Sequence, residues 1–372
     1  MRAAVFGGPG QPVQVTEVEL GPPAPGEVEV AIAAAGVCHS DLHIVLGEWP
    51  HPVPVVLGHE GSGVVTAVGA GVTSLSPGDH VVLSWVPACG QCRYCRRGRP
   101  AQCQVSAEVV SPGGVLPDGT SRLRAGGQPA YHYLGVSSFA ERAVVAESGA
   151  IRVRQDAPLE VAALVGCAVA TGVGAVRNTA GVPPGATVAV IGCGGVGLSC
   201  VQGARLAGAS RIVAVDVVAD KLAVARRLGA TDVLHADGRP VVAALRELVP
   251  EGLDYVFDAI GKIETTEQAI AALGLGGSAV VVGLPPSGQQ ARFDPIALAE
   301  ADQRILGCNY GSITPQRDIP QLVDEAMRGD LDLESMVTAR RPLAEAAEAL
   351  ADLRSGRVLR QLLICGEPGP AR

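Results

Sequence analysis

The stretch "VAVIGCGGVGLS", residues 188–199, constrains this chain most: an apolar run leads straight into Gly192, Gly194 and Gly197, and a helix-like run follows. G-x-G-x-x-G in that context is a strand–turn–helix unit. Its first glycine permits a tight turn, its second lets the backbone approach a pyrophosphate, and its third lets helix pack on strand. The helix N-terminus favours the phosphate charge. The neighbouring sequence has the texture of a covered parallel sheet. "ATVAVIG", "RIVAVD", "DYVFDAI" and "SAVVVGL" read as buried strands, and "VGLSCVQGARLAG", "ADKLAVARRLG" and "TEQAIAALG" as helices between them. Asp216 ends "RIVAVD" about twenty residues beyond the glycines, where a carboxylate accepts hydrogen bonds from adenosine ribose hydroxyls. An unmodified ribose, hence NAD rather than NADP, is the expectation. Lys221 reads equally as a further ribose contact and as a solvated helix lysine.

The rest of the chain has a different texture. With 372 residues there is room for two domains, and 48% hydrophobic against 18% charged residues excludes disorder. Short valine-rich runs such as "EVEVAIAAAG", "GSGVVTAVG" and "GDHVVLS", separated by glycine and proline turns, read as an antiparallel β domain. The expected fold is therefore α/β: a β-rich domain over residues 1–168, a doubly wound parallel-sheet domain over 169–309, and a return to the first domain over 310–372. Helix-like "PLAEAAEALADLRSG" and strand-like "RQLLIC" belong to that return.

Charge and composition narrow the partners. A net charge of -8 gives no footprint for nucleic acid, and the cluster Arg93, Arg96, Arg97 and Arg99 lacks interleaved aromatics and reads as a solvated loop. The N-terminus has no apolar core of a secretory signal. The longest uncharged run, residues 178–204, is broken by Pro183–Pro184 and seven glycines, which suits a strand, turn and helix better than a membrane span. Ten cysteines without a signal point to a reducing, cytoplasmic compartment, where metal and catalytic roles outrank disulfides.

Their spacing separates two groups. Cys89, Cys92, Cys95 and Cys103 follow C-x2-C-x2-C-x7-C, and four thiolates complete a tetrahedral zinc, which makes such a site structural. A four-cysteine iron–sulfur site is the lesser alternative. Cys38 and His59 suit an open zinc site, which needs about three protein ligands and leaves one position for water or substrate. Cys167, at the junction of the two textures, reads either as the third ligand or as a small core residue. Glu60 reads as a fourth ligand or as a neighbour that tunes the metal, and Asp41 as a group orienting a ligand histidine.

Taken together, "GVCHSDLH", "GHEGSGVV", the four-cysteine lobe, "LPDGTSR", "GCAVATGVGA", "GCGGVG", "RIVAVD" and "SGRVLRQLL" resemble the zinc-containing alcohol dehydrogenases of the medium-chain dehydrogenase/reductase superfamily over nearly the whole chain. The resemblance implies a GroES-like catalytic domain with a Rossmann domain, and two zincs per subunit. It implies that Cys38, His59 and Cys167 bind the catalytic zinc, with Asp41 and Glu60 close by. Cys89, Cys92, Cys95 and Cys103 would bind the structural one. It assigns Ser40 to the alcohol hydroxyl and His43 to the outer end of a proton relay through the cofactor ribose. His39 and Arg360 match phosphate contacts, and Gly192, Gly194, Gly195 and Gly197 the pyrophosphate turn. Thr171 and Val196 match the nicotinamide side. His51 matches no role and reads as a turn histidine. The implied reaction is hydride transfer from an alcohol, activated as its alkoxide at zinc, to NAD.

Within the family, "AEVVSPGGVLPDGTSRLRAGGQPAYHYLG" resembles the long dimeric animal and plant enzymes and the formaldehyde dehydrogenase branch, so a homodimer is expected. Residues 104–112 lack the arginine with which glutathione-dependent members hold the glutathione carboxylate. A thiol-adduct formaldehyde dehydrogenase is therefore an alternative rather than the main expectation, as is a biosynthetic reductase of an activated C=C or C=N bond on the same scaffold. Trp85 matches a pocket-lining residue and reads equally as core. A zinc-free quinone reductase would lack Cys38, His59 and Cys167. A zinc-ribbon nucleic-acid module is disfavoured by the acidic balance. Cys193, Cys200, Cys308 and Cys365 belong to neither metal set and read as packing residues.

Overall fold

A computed structural model describes residues 1–366. The chain divides into two compact units, Met1–Cys167 with Thr314–Arg372, and Ala168–Ile313. Of the C-terminal return, residues 367–372 lie outside the described residues.

The first unit is β-rich. Five strands close a barrel, and a second, seven-stranded sheet is centred on Glu27–Gly36. Strand Gly61–Val68 runs antiparallel to Glu27–Gly36 on one side and to His80–Leu83 on the other. The C-terminal strand Arg360–Ile364 pairs antiparallel with the end of Glu27–Gly36, with Leu362 opposite Gly36. This pairing brings a segment more than three hundred residues away in sequence next to the chain that enters Cys38. Apolar alternation drives it: Val28, Val30, Ile32, Leu57, Phe139 and Leu363 share one buried core. Each such side chain stabilises by roughly 1.5–3 kcal/mol when fully removed from water.

The second unit holds one parallel sheet. Its order is Asp232–His235, Arg211–Asp216, Thr187–Ile191, Leu253–Asp258, Leu273–Val281, Arg304–Gly307. All neighbours are parallel. Counted along the unit this is 3-2-1-4-5-6, the Rossmann order, whose direction reverses at Thr187–Ile191 and opens a ligand crevice beyond that strand's C-terminal end. Val188, Ala189, Val190 and Ile191 are all buried, as expected of a strand covered on both faces. Strands Asp232–His235 and Arg304–Gly307 were not legible as apolar runs, because they form the sheet's two edges and are partly exposed. The chain re-enters the first unit only at Thr314, since Gly311 is seated against Ala170 and Gly174 and its carbonyl accepts from Asn178 Nδ2 at 3.2 Å.

Candidate active site

In the first unit, Cys38 caps helix His39–Val45, which follows strand Glu27–Gly36 directly. His59 precedes strand Gly61–Val68, and Cys167 ends the short 3-10 turn Ala163–Gly166. Three separate segments thus deliver one sulfur, one imidazole and a second sulfur to a common point. Their donor atoms all lie within 4.8 Å of one another and all three residues are buried. Cys167 is therefore brought to Cys38 and His59, an outcome that local spacing left open.

The electrostatics match a cation. The Cys167 thiol, with help from His59 and Arg360, holds the Cys38 thiol well below its ordinary value against the opposing effect of burial. Burial pushes His59 down, but Asp41 and Cys38 outweigh it and raise the imidazole to about 10. Asp41 Oδ2 lies 3.2 Å from His59 Nδ1, while its Oδ1 accepts the Gly58 amide at 2.8 Å. Both buried ring nitrogens of His59 lack a hydrogen bond of good geometry, Nδ1 lying against Asp41 and Nε2 left as an open donor position. Two thiols and an orphaned imidazole nitrogen backed by a carboxylate suit an open zinc site.

Glu60 does not join this donor group. Its carboxylate is held by the Arg360 guanidinium, and both side chains are almost wholly buried. A buried carboxylate needs such a partner, which favours Glu60 as a neighbour of the donor group over Glu60 as a fourth ligand. Gly36 makes the pair possible, because a side chain there would collide with both charged groups. Arg360 retains a buried Nε without a partner.

Ser40 and His43 share a face of helix His39–Val45 at spacing i, i+3. Ser40 Oγ lies 3.8 Å from the Cys38 sulfur, and the Ser40 carbonyl accepts the Tyr133 hydroxyl at 2.7 Å. The Tyr133 ring stands edge-on to His59 with centroids 5.5 Å apart. His39 is exposed at the start of the same helix. His51 bonds the Pro52 carbonyl through Nδ1 at 2.8 Å, as a turn histidine does. Trp85 is half-buried against the first unit's core.

The second donor group, Cys89, Cys92, Cys95 and Cys103, also has all its sulfurs within 4.8 Å. Backbone amides of Cys89, Cys92 and Cys95 point at the sulfurs of Cys103, Cys89 and Cys92 at 3.3–3.5 Å. Such amides stabilise thiolate, and the backbone N–H of Cys95 heads the contacts that lower Cys92 to about 6. None of the ten cysteines is in a disulfide, and Cys193, Cys200, Cys308 and Cys365 are buried outside both groups.

In the second unit the glycine turn follows Thr187–Ile191. Gly192 has φ +96°, Gly194 caps helix Gly195–Leu206, and no atom lies within 4 Å of where a Gly194 side chain would start. A side chain at Gly197 would run into the Gly192 carbonyl. Gly197→Ala is accordingly expected to cost about 1–3 kcal/mol, seen as a lower urea midpoint, and to weaken dinucleotide binding in a fluorescence titration. Asp216 accepts the Cys193 amide at 2.7 Å and the Val218 amide at 2.9 Å, leaving lone pairs on both oxygens. Val196 and Lys221 are half-exposed, and Thr171 is buried on helix Ala168–Gly174 with an unpartnered hydroxyl. Val217 and Ile260, 61% and 42% exposed, flank the Asp216 and Gly192 turns. Sequence reasoning passed over both, since each merely extends an apolar run.

Comparison with known proteins agrees with this geometry. Residues 24–155 match the alcohol dehydrogenase GroES-like domain and residues 195–328 the zinc-binding dehydrogenase domain. The chain is 41% identical to an S-(hydroxymethyl)glutathione dehydrogenase of Escherichia coli O1:K1, over 97% of this chain and 99% of that one. It is similar in structure to an alcohol dehydrogenase zinc-binding domain protein from Burkholderia ambifaria, with TM-score 0.94, 40% identity and coverage of 98% and 99%. The benzyl alcohol dehydrogenase of Acinetobacter calcoaceticus is similar at TM-score 0.93 and 35% identity, with the same coverage.

Proposed function

Because the chain belongs to the zinc-dependent alcohol dehydrogenases of the medium-chain dehydrogenase/reductase superfamily, we propose that it oxidises free alcohols to aldehydes or ketones, and reduces them back, at Cys38, His59 and Cys167 with NAD. The protein is an oxidoreductase that uses zinc and a nicotinamide dinucleotide. The observation that carries the site assignment is the convergence of three buried donors within 4.8 Å, two of them thiols.

When bound, zinc supplies Lewis-acid polarisation of the alcohol oxygen and the dinucleotide supplies the hydride acceptor. The protein's own residues do the rest. Cys38, His59 and Cys167 would hold the metal in a buried place, and Asp41, against Nδ1, would leave Nε2 as the imidazole's donor. Ser40 accepts the alcohol proton and passes it toward His43, whose side chain is 17% exposed and so can exchange a proton with solvent. Arg360 balances Glu60 so that no third bare anion faces the site. Arg360 and His39 are the residues of the first unit proposed to contact cofactor phosphates. In the second unit, Gly192, Gly194, Gly195 and Gly197 with the helix N-terminus receive the pyrophosphate, and Thr171 and Val196 border the nicotinamide. Val217 and Ile260 offer apolar faces to the adenine.

Asp216 underlies the preference for NAD, since a 2′-phosphate would bring charge against a carboxylate. Asp216→Ser is expected to reduce the ratio of kcat/KM with NAD to that with NADP by roughly 10- to 100-fold, measured with one alcohol and both cofactors.

Free alcohols are favoured over a glutathione adduct because residues 104–112 hold no arginine to receive a glutathione carboxylate. The test is a panel of alcohols beside formaldehyde with and without glutathione. Faster turnover of free alcohols supports the proposal, and turnover only with glutathione would assign the chain to the thiol-adduct chemistry of its Escherichia coli relative. A homodimer is supported by edge strand Arg304–Gly307, with exposed Ile305 on it and exposed Leu275 and Ile296 elsewhere on the same unit. A cytoplasmic location is supported by ten free cysteines. Among the described residues no single helix is long and apolar enough to cross a membrane.

A further inference from the structure

We infer that Glu48 and Trp49 form a clamp on His43 that fixes its tautomer and ring orientation, making Glu48 a positioning residue for proton transfer. The inference rests on the proposed reading of His43 as the outer relay group. The backbone prepares the clamp. Helix His39–Val45 ends at Leu46, and Gly47 turns the chain back at φ +71°. Nothing lies within 4 Å of a side chain built there, so the need for glycine is conformational rather than steric. The reversal returns the amides of Glu48 and Trp49 to the His43 carbonyl, at 2.9 and 3.4 Å.

The side chains then hold the imidazole from two directions. The Glu48 carboxylate bonds Nδ1. Trp49 stacks on the ring face, with centroids 4.3 Å apart and planes 20° from parallel. An ionised carboxylate only accepts hydrogen bonds, so Nδ1 carries the proton and Nε2 keeps its lone pair. That is the state a proton acceptor requires. A proton arriving at Nε2 makes an imidazolium, which Glu48 stabilises across the Nδ1–H bond without taking that proton. Nε2 later returns its proton to solvent, which reaches the site because the His43 and Glu48 side chains are 17% and 33% exposed. The division of labour is that of the carboxylate in a serine–histidine–aspartate triad, where the acid orients and stabilises but is not itself protonated.

The test combines a spectrum with a double-mutant cycle on the zinc-replete enzyme. Nitrogen-15 NMR of histidine-labelled protein should show His43 protonated at Nδ1 in the wild type and a tautomer mixture in Glu48→Ala. In alcohol oxidation, Glu48→Ala should lower kcat roughly tenfold with little change in KM, and Glu48→Gln, which keeps an acceptor but not the charge, should fall between. In a His43→Gln background, Glu48→Ala should add less than about a twofold further loss. An external base such as imidazole should restore part of the lost rate. An Nε2-protonated His43 in the wild type, an unchanged kcat in Glu48→Ala, or losses that multiply across the two sites would overturn the clamp. An unchanged kcat in His43→Gln would instead remove the relay reading and the clamp with it. Full turnover in His43→Gln but none in Cys38→Ser would leave the zinc chemistry standing.

Discussion

Cys167→Ser is expected to lower kcat for alcohol oxidation by roughly a thousandfold or more and to release one zinc per chain. The argument is one of charge. Cys38, His59 and Cys167 make a buried donor set, two of them sulfurs, that would hold a dication. A serine hydroxyl is neutral near pH 7 and leaves one thiolate beside His59. The Asp41 and Cys38 contacts that raise His59 to about 10 would then favour a proton on the imidazole over a metal. The substitution is nearly isosteric and Cys167 is 7% exposed, so the first unit should stay folded. Zinc analysis and near-UV circular dichroism check both halves. A folded variant with full metal content and full activity would dismiss Cys167 as a ligand.

Cys103→Ser should act on stability instead. The lobe from Cys89 to Cys103 has almost no core: Arg93, Arg96, Arg97 and Arg99 are exposed, and its buried residues are Pro100, Ala101 and Cys103. A metal cross-linking the four thiolates would therefore be the main contribution holding it together. Losing that metal is expected to lower the apparent Tm by roughly 10 °C or more, while the three donors of the other site remain. Differential scanning fluorimetry with zinc counting tests this, and an unchanged melting curve after metal loss would show that the lobe folds without it.

These two sites were unequally legible in the sequence. The four-cysteine lobe and the glycine turn are local, so residue spacing alone carries their chemistry. The three buried donors come from separate segments; residue pattern alone left Cys167 either a third ligand or a core residue, and the family resemblance joined it to Cys38 and His59. Pairings set by strand register were harder still. Arg360 meets Glu60 because Arg360–Ile364 docks beside Gly36, and nothing near either residue announces it. The same holds for Tyr133, which reaches the Ser40 carbonyl from a segment 93 residues on. Glu48 lies only five residues from His43 and was still invisible, because the Gly47 reversal, not a helical repeat, brings them together. In the second unit the interior strands were readable and the edge strands were not, since exposure dilutes their apolar pattern.

The central claim is that alcohol oxidation depends on zinc at the Cys38, His59 and Cys167 site, and the most direct measurement is the initial rate of NADH formation from a primary alcohol before zinc removal, after it, and after zinc is restored. The account predicts turnover that is lost with the metal and regained with it. No turnover of any alcohol or aldehyde by the metal-replete protein, or turnover indifferent to zinc removal, would contradict it.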